Sequence, residues 1–159
     1  MKKTIILSLI FITIFNVSAF ADTVNLELNH LEYKENHMIF KENTIYKGEI
    51  TITSNSGEYF EKDKIINLKE NIKLTSQDYK VHSEKMKGLL KKDKYIFTQN
   101  VKTQNINEDK KDFTLKSKKL TYNAETGDFN GEENIEIKFD DRTIKGNNAN
   151  YNSEKEEMV

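Results

Sequence analysis

The sequence predicts an all-β protein, a stack of antiparallel strand repeats around an apolar interior. Three observations carry that expectation. One motif recurs along the chain, its apolar residues alternate with polar ones, and no stretch beyond the N-terminus holds a helical period for a dozen residues. The motif centres on four asparagines, Asn43, Asn71, Asn100 and Asn134, spaced 28, 29 and 34 residues apart. Around them stand MIFKENTIY, IINLKENIKL, YIFTQNVKT and FNGEENIEI.

The N-terminal segment is read first because it stands outside the repeat. Lys2 and Lys3 form a basic start, Ile5 to Phe15 an apolar run, and Ala19-Phe20-Ala21 a small-residue cleavage site. That is the three-part pattern of a secretory signal peptide. The run is too short for the ~20 apolar residues that span a bilayer. Residues 1–21 are therefore expected to be a cleaved signal peptide and residues 22–159 one β-repeat domain, outside the cytoplasm. The chain has no cysteine, so no disulfide framework supports it.

Each unit opens with a short strand-like entry (HLEY, GEYF, SEKM, KKLTY and NANY) followed by a polar corner such as Lys62-Asp63-Lys64 or Glu125-Thr126-Gly127-Asp128. Five and three residues before each asparagine stand Met38/Phe40, Ile66/Leu68, Tyr95/Phe97 and Phe129/Gly131; one and three after it stand Thr44/Tyr46, Ile72/Leu74, Val101/Thr103 and Ile135/Ile137. These positions share one parity, so a period of two places them all on one face of a strand. A second strand per unit is expected at Gly48–Thr53, Tyr79–Ser83, Phe113–Lys116 and Thr143–Gly146. A unit of this size holds two strands and cannot bury its apolar face alone, so neighbouring units stack. The polar stretch Asn105–Asp112 reads as an extended loop.

Composition excludes several function classes. Loss of Lys2 and Lys3 leaves 23 basic side chains against 26 acidic ones, no footprint for nucleic acid. His30, His37 and His82 have no second ligand at metal spacing, so no metal site is expected. No nucleophile motif and no Gly-rich phosphate loop is present. The neighbouring carboxylates Glu132-Glu133 and Asp140-Asp141 would point to opposite faces of a strand, not pair as acid and base. The chain is expected to be neither an enzyme nor a cofactor carrier. Its large interior side chains fit a packed core, or an apolar groove that takes acyl chains at about 0.8 kcal/mol per buried CH₂.

The stretches KLTYNAETGDFNGEENIEI (119–137) and IKGNNANYN (144–152) resemble the OstA-like, LptA/LptC-type family of lipopolysaccharide transport. The likeness is clearest at Leu120, Tyr122, Gly127, Phe129, Asn134 and Ile144 to Tyr151. It is looser elsewhere, where lysine or glutamine replaces glycine. The resemblance implies an open, twisted β-jelly roll whose interior holds the acyl chains of lipid A. It also implies a periplasmic place between an inner-membrane transporter component and an outer-membrane β-barrel assembly protein, with lipopolysaccharide or a related glycolipid as cargo. The cleavable leader favours the LptA-like soluble bridge over the LptC-like anchored form. The residues expected to line the groove or core are Met38, Phe40, Ile50, Ile52, Leu68, Leu74, Phe97, Phe113, Leu115, Phe129, Ile135, Ile137 and Phe139. A stack of this kind leaves an unpaired strand edge at each end, which makes a head-to-tail homo-oligomer an expectation too. The competing expectation is a structural or adhesin β-repeat protein of the envelope with a dry core.

Overall fold

The computed structural model describes residues 15–19, 22–107, 112–139, 141–155 and 157–159. Eleven strands follow one another: β1 (Phe15–Ala19), β2 (Asp22–Lys34), β3 (His37–Lys47), β4 (Ile50–Phe60), β5 (Ile65–Thr75), β6 (Tyr79–Leu89), β7 (Lys94–Asn105), β8 (Thr114–Asn123), β9 (Phe129–Phe139), β10 (Arg142–Asn152) and β11 (Glu157–Met158). They form one antiparallel sheet in sequence order, each strand hydrogen-bonded to the next. A 3-10 turn, Leu90–Lys92, joins β6 to β7. Most of the segment read as a signal peptide lies outside the described residues, but Phe15–Ala19 pair with Asp22–Leu26 as β1.

The pieces expected as separate short strands are continuous. The ITIT of GEITIT and the GEYF fall within β4, with Gly48-Glu49 as the turn before it, and YKVHS and SEKM fall within β6. Each long strand bends in the middle. A Cβ placed on Gly131 would lie 3.0 Å from Ile135 Cδ1 and 3.6 Å from a Leu115 methyl. Leu115 is five residues from Leu120, the partner of Gly131, a distance of roughly 17 Å along a straight strand. The halves of each strand therefore face one another, and the sheet is folded along a line across its strands.

The repeat asparagines make that line. Glu70-Asn71, Gln99-Asn100 and Glu133-Asn134 are consecutive residues with positive φ between 52° and 67°. At each pair the register slips against both neighbouring strands. Each bend inserts one residue relative to either neighbour, while the two left-handed residues leave the strand's own parity unchanged, so Ile66 and Leu68 before the bend, and Ile72 and Leu74 after it, all face inward. Asparagine adopts the left-handed region at lower cost than most side chains. Asn71→Val should accordingly cost about 1–2 kcal/mol, and Asn71→Gly little, in paired urea denaturation curves.

The first unit bends differently. Only Glu42 has positive φ there, at 45°, and no register shift accompanies it. The single left-handed residue reverses the parity, so Asn43, Ile45 and Lys47 are buried where Thr44 and Tyr46 were expected; Thr44 is half-buried and Tyr46 exposed. Asn43 Nδ2 donates to the Ser54 hydroxyl (2.7 Å) and to the Ser54 carbonyl (3.1 Å). Ser54, Ser83 and Ser117 occupy equivalent bend positions on β4, β6 and β8, all buried. The Ser54 and Ser83 hydroxyls each donate to the carbonyl two residues on, a local bond that replaces ladder bonds lost at the bend.

Candidate functional site: the folded interior and its seam

Two apolar ladders run across the sheet, one on each side of the bend. The first passes from Phe40 through Gly57, Leu68, Met86, Phe97, Leu120 and Gly131 to Ala149. The second passes from Leu26 through Ile45, Ile52, Leu74, Val81, Thr103, Leu115 and Ile137 to Ile144. The fold lays one ladder over the other. Side-chain size is matched along the row: a Cβ on Gly57 would meet the Phe40 ring at 2.4 Å and Leu68 at 2.5 Å, so glycine is the space that Phe40 fills.

Met38, Phe40, Ile50, Ile52, Leu68, Leu74, Phe97, Phe113, Leu115, Phe129, Ile135 and Ile137 are buried in one cluster, and Phe139 packs against it half-exposed. Phe40, Leu74, Val81, Phe97 and Leu120 are wholly inaccessible, so the interior is filled by the protein's own side chains. The sequence reading did not select Val24, Leu26, Leu28, Ile45, Tyr59, Val81, Met86 or Tyr151, which belong to the same cluster. Alternation within β2 and β4 carries that information for several of them.

Folding the strands brings their two rows of turns together as a seam. Lys47, at the end of β3, crosses it: Nζ donates to the Leu90 carbonyl (3.2 Å) and makes an ion pair with the Asp93 carboxylate. Lys47 is only 7% exposed, whereas Asp93 is a third exposed. A cleft of about 600 Å³ opens beside this pair, lined by Ser76, Asp78, Tyr79, Tyr122 and Thr126 among others. Toward the C-terminal strands an aromatic cluster closes the seam. The Tyr79 and Tyr151 hydroxyls lie 2.9 Å apart, and the Tyr79 ring meets Phe129 edge-on at 4.7 Å. Phe129 stacks on Tyr122 at 4.9 Å, and Phe113 lies 5.7 Å from Tyr151. Tyr79 and Tyr151 stand on strands four apart, about 19 Å in a flat sheet, which again requires the fold. Burial first, then the Tyr151 hydroxyl, pushes the Tyr79 phenol far above its usual range, so it stays protonated.

The histidines are dispersed. His37 stacks on Phe60 at 5.1 Å, His30 is exposed on β2, and His82 is on the outer face of β6. Among the described residues no group of three or more His, Asp or Glu side chains is placed to hold a metal ion. Among the same residues no helix is long and apolar enough to cross a membrane.

A single antiparallel sheet folded lengthwise around an apolar interior defines a class of open jelly-roll proteins. Residues 77–159, just over half of the chain, match the family described as lipopolysaccharide-assembly, LptC-related, and the chain belongs to that family. In fold it is similar to LptH from Pseudomonas aeruginosa, described as the LptA-homologous periplasmic component of the conserved lipopolysaccharide transport device. The TM-score is 0.63 at 8% identity, over 74% of this chain and 94% of that one. No curated protein matches the chain in sequence.

Proposed function

We propose that this protein is a non-enzymatic carrier of lipopolysaccharide, or of a related glycolipid, in the periplasm. Its two apolar ladders separate along the seam to receive the acyl chains of lipid A. The observation that carries this reading is the continuity of the two apolar ladders, in which Thr103 is the one polar side chain between β2 and β9; the buried serines and Asn43 lie between them, at the bend. Family membership supports the cargo class.

The end of the stack supports transfer from molecule to molecule. Ile144 pairs with buried Ile137 and belongs to the inner face, yet it is 54% exposed. Residues 142–148 of β10 are exposed throughout. The apolar interior thus opens to solvent beside the stretch of β10 that β11 does not pair with, a template for another strand. At the other end, cleavage after Ala21 would remove β1 and free the edge of β2. Head-to-tail pairing of these edges would continue both sheet and interior, toward an inner-membrane transporter component on one side and an outer-membrane β-barrel assembly protein on the other.

The second reading, a structural repeat with a dry core, is favoured by the filled interior. Mass spectrometry of lipid extracted from the protein recovered from a Gram-negative envelope separates the two. The carrier reading expects lipid A-type species on the parent and fewer on Phe139→Asp, which puts a charge at the half-exposed border of the interior. A lipid-free parent would support the dry-cored repeat and overturn the carrier.

A further inference from the structure

The outer face of β5 to β10 is rich in lysine on both sides of the bend: the half away from the Lys47 rim carries Lys69, Lys85, Lys87, Lys94 and Lys119 with Glu132, and the half beside that rim is the more basic of the two. Across the strands the register places Lys73 opposite His82, His82 opposite Lys102, and Lys102 opposite Lys116. The row goes on to Glu136 and Lys145. One row nearer the rim stand Lys80 on β6 and Lys138 on β9. Among the described residues of β5 to β10 this half of the face therefore holds six lysines and one carboxylate, Glu136. That carboxylate lies 3.6–3.8 Å from Lys116, Lys138 and Lys145 at once. The nearest other acids border the face: Glu70, Glu84 and Glu133 at the bend, and Asp78, Asp112 and Asp141 at the rim.

Solvation explains why lysines are exposed, but not why they are segregated. The whole chain has 25 basic and 26 acidic side chains, so random placement would mix the signs. Like charges directly opposite on neighbouring strands are unfavourable. The effect is visible at His82, whose pKa is lowered, first by burial and then by Lys73, Lys102 and Lys80. The arrangement becomes favourable only against a layer of negative charge. It spreads over six strands, roughly 24 Å, with long mobile side chains and no enclosed pocket, which fits many laterally spaced phosphates rather than one bound anion.

We propose that this face docks the protein on the headgroups of an anionic phospholipid bilayer. The lysines meet headgroup phosphates as point charges, and the seam stays clear because the face is on the opposite side of the sheet from the apolar ladders. The inference does not depend on cargo in the interior.

The chain has no native cysteine, so His82→Cys supplies a single thiol for a fluorophore. Its quenching by a headgroup-borne quencher is read on phosphatidylcholine vesicles with and without phosphatidylglycerol, beside a Glu32→Cys control on the outer face of β2, in the same cross-strand row as Glu58. Quenching at position 82 alone, only with phosphatidylglycerol and reversed by salt, is the expected result. Lys102→Glu with Lys116→Glu should weaken it at least about twentyfold, and Lys102→Arg with Lys116→Arg should preserve it. Equal quenching on neutral vesicles, equal quenching at position 32, retention in the charge-reversed variant, or no quenching on either vesicle would each overturn the proposal. The readout reports which face meets the bilayer, so it holds whether the N-terminal segment is cleaved or kept.

Discussion

Phe97→Ala is expected to lose about 3–5 kcal/mol of folding stability in urea denaturation, the range for a large buried aromatic truncated in a packed core. Phe97 is wholly inaccessible, and its register partners Met86 and Leu120 are buried on either side. It stands near the centre of the ladder, two residues before the left-handed pair Gln99-Asn100, where the strand cannot shift to fill the space. A domain of this kind has only about 5–15 kcal/mol in total, so this one truncation removes a large share. Phe97→Asp would add an unpaired buried carboxylate and should prevent folding altogether. Thr98→Ala, on the outer face, should stay within ~0.5 kcal/mol. A loss below about 1 kcal/mol at Phe97 would mean that the ladders do not pack against each other, as in a groove already open.

Asp93→Asn is expected to cost about 2–3 kcal/mol, because it leaves the buried Lys47 ammonium without its counter-charge. Complete removal of one partner of a buried pair costs about 3–5 kcal/mol; here Asp93 is partly hydrated and an amide still accepts a hydrogen bond, so the lower figure applies. Asparagine is the suitable replacement because residue 93 has φ of 48°, a conformation that asparagine tolerates. The test of the cause is the double variant Lys47→Met, Asp93→Asn. Removing the charge together with its partner should recover stability to within ~1 kcal/mol of the parent. Failure to recover would mean that residue 93 acts through the turn and not through Lys47. Lys47 and Asp93 come from turns on opposite sides of the seam, so the single variant should also loosen it, read as faster hydrogen exchange at Ser76 to Tyr79.

Much of this protein is legible locally. Strand type follows from alternation, and the interior set from Met38 to Phe139 follows from parity combined with side-chain size. Both are properties of a few neighbouring residues, so they survive without knowledge of the fold. The repeated asparagines are visible too, but their meaning is not. A polar pair inside an apolar strand reads equally as a solvent-facing interruption or as a left-handed bend, because conformation is not written in composition. Ser54, Ser83 and Ser117 recur at spacings of 29 and 34 residues, the same as two of the asparagine spacings, and that echo was an available signal for a bend crossing every strand.

The sequence by itself determined that the chain beyond its first 21 residues is all-β, repetitive and apolar on one side, since a period of two and β-branched side chains impose this residue by residue. Only the tertiary structure decided which residues of the first unit face inward, because one left-handed residue at Glu42 reverses parity whereas two at Glu70-Asn71 restore it. It also decided that Lys47, next to a glycine turn and outwardly an ordinary surface lysine, is buried. That outcome depends on bending the sheet until turns more than forty residues apart meet, and the energy of that meeting resides in contacts that no local stretch contains.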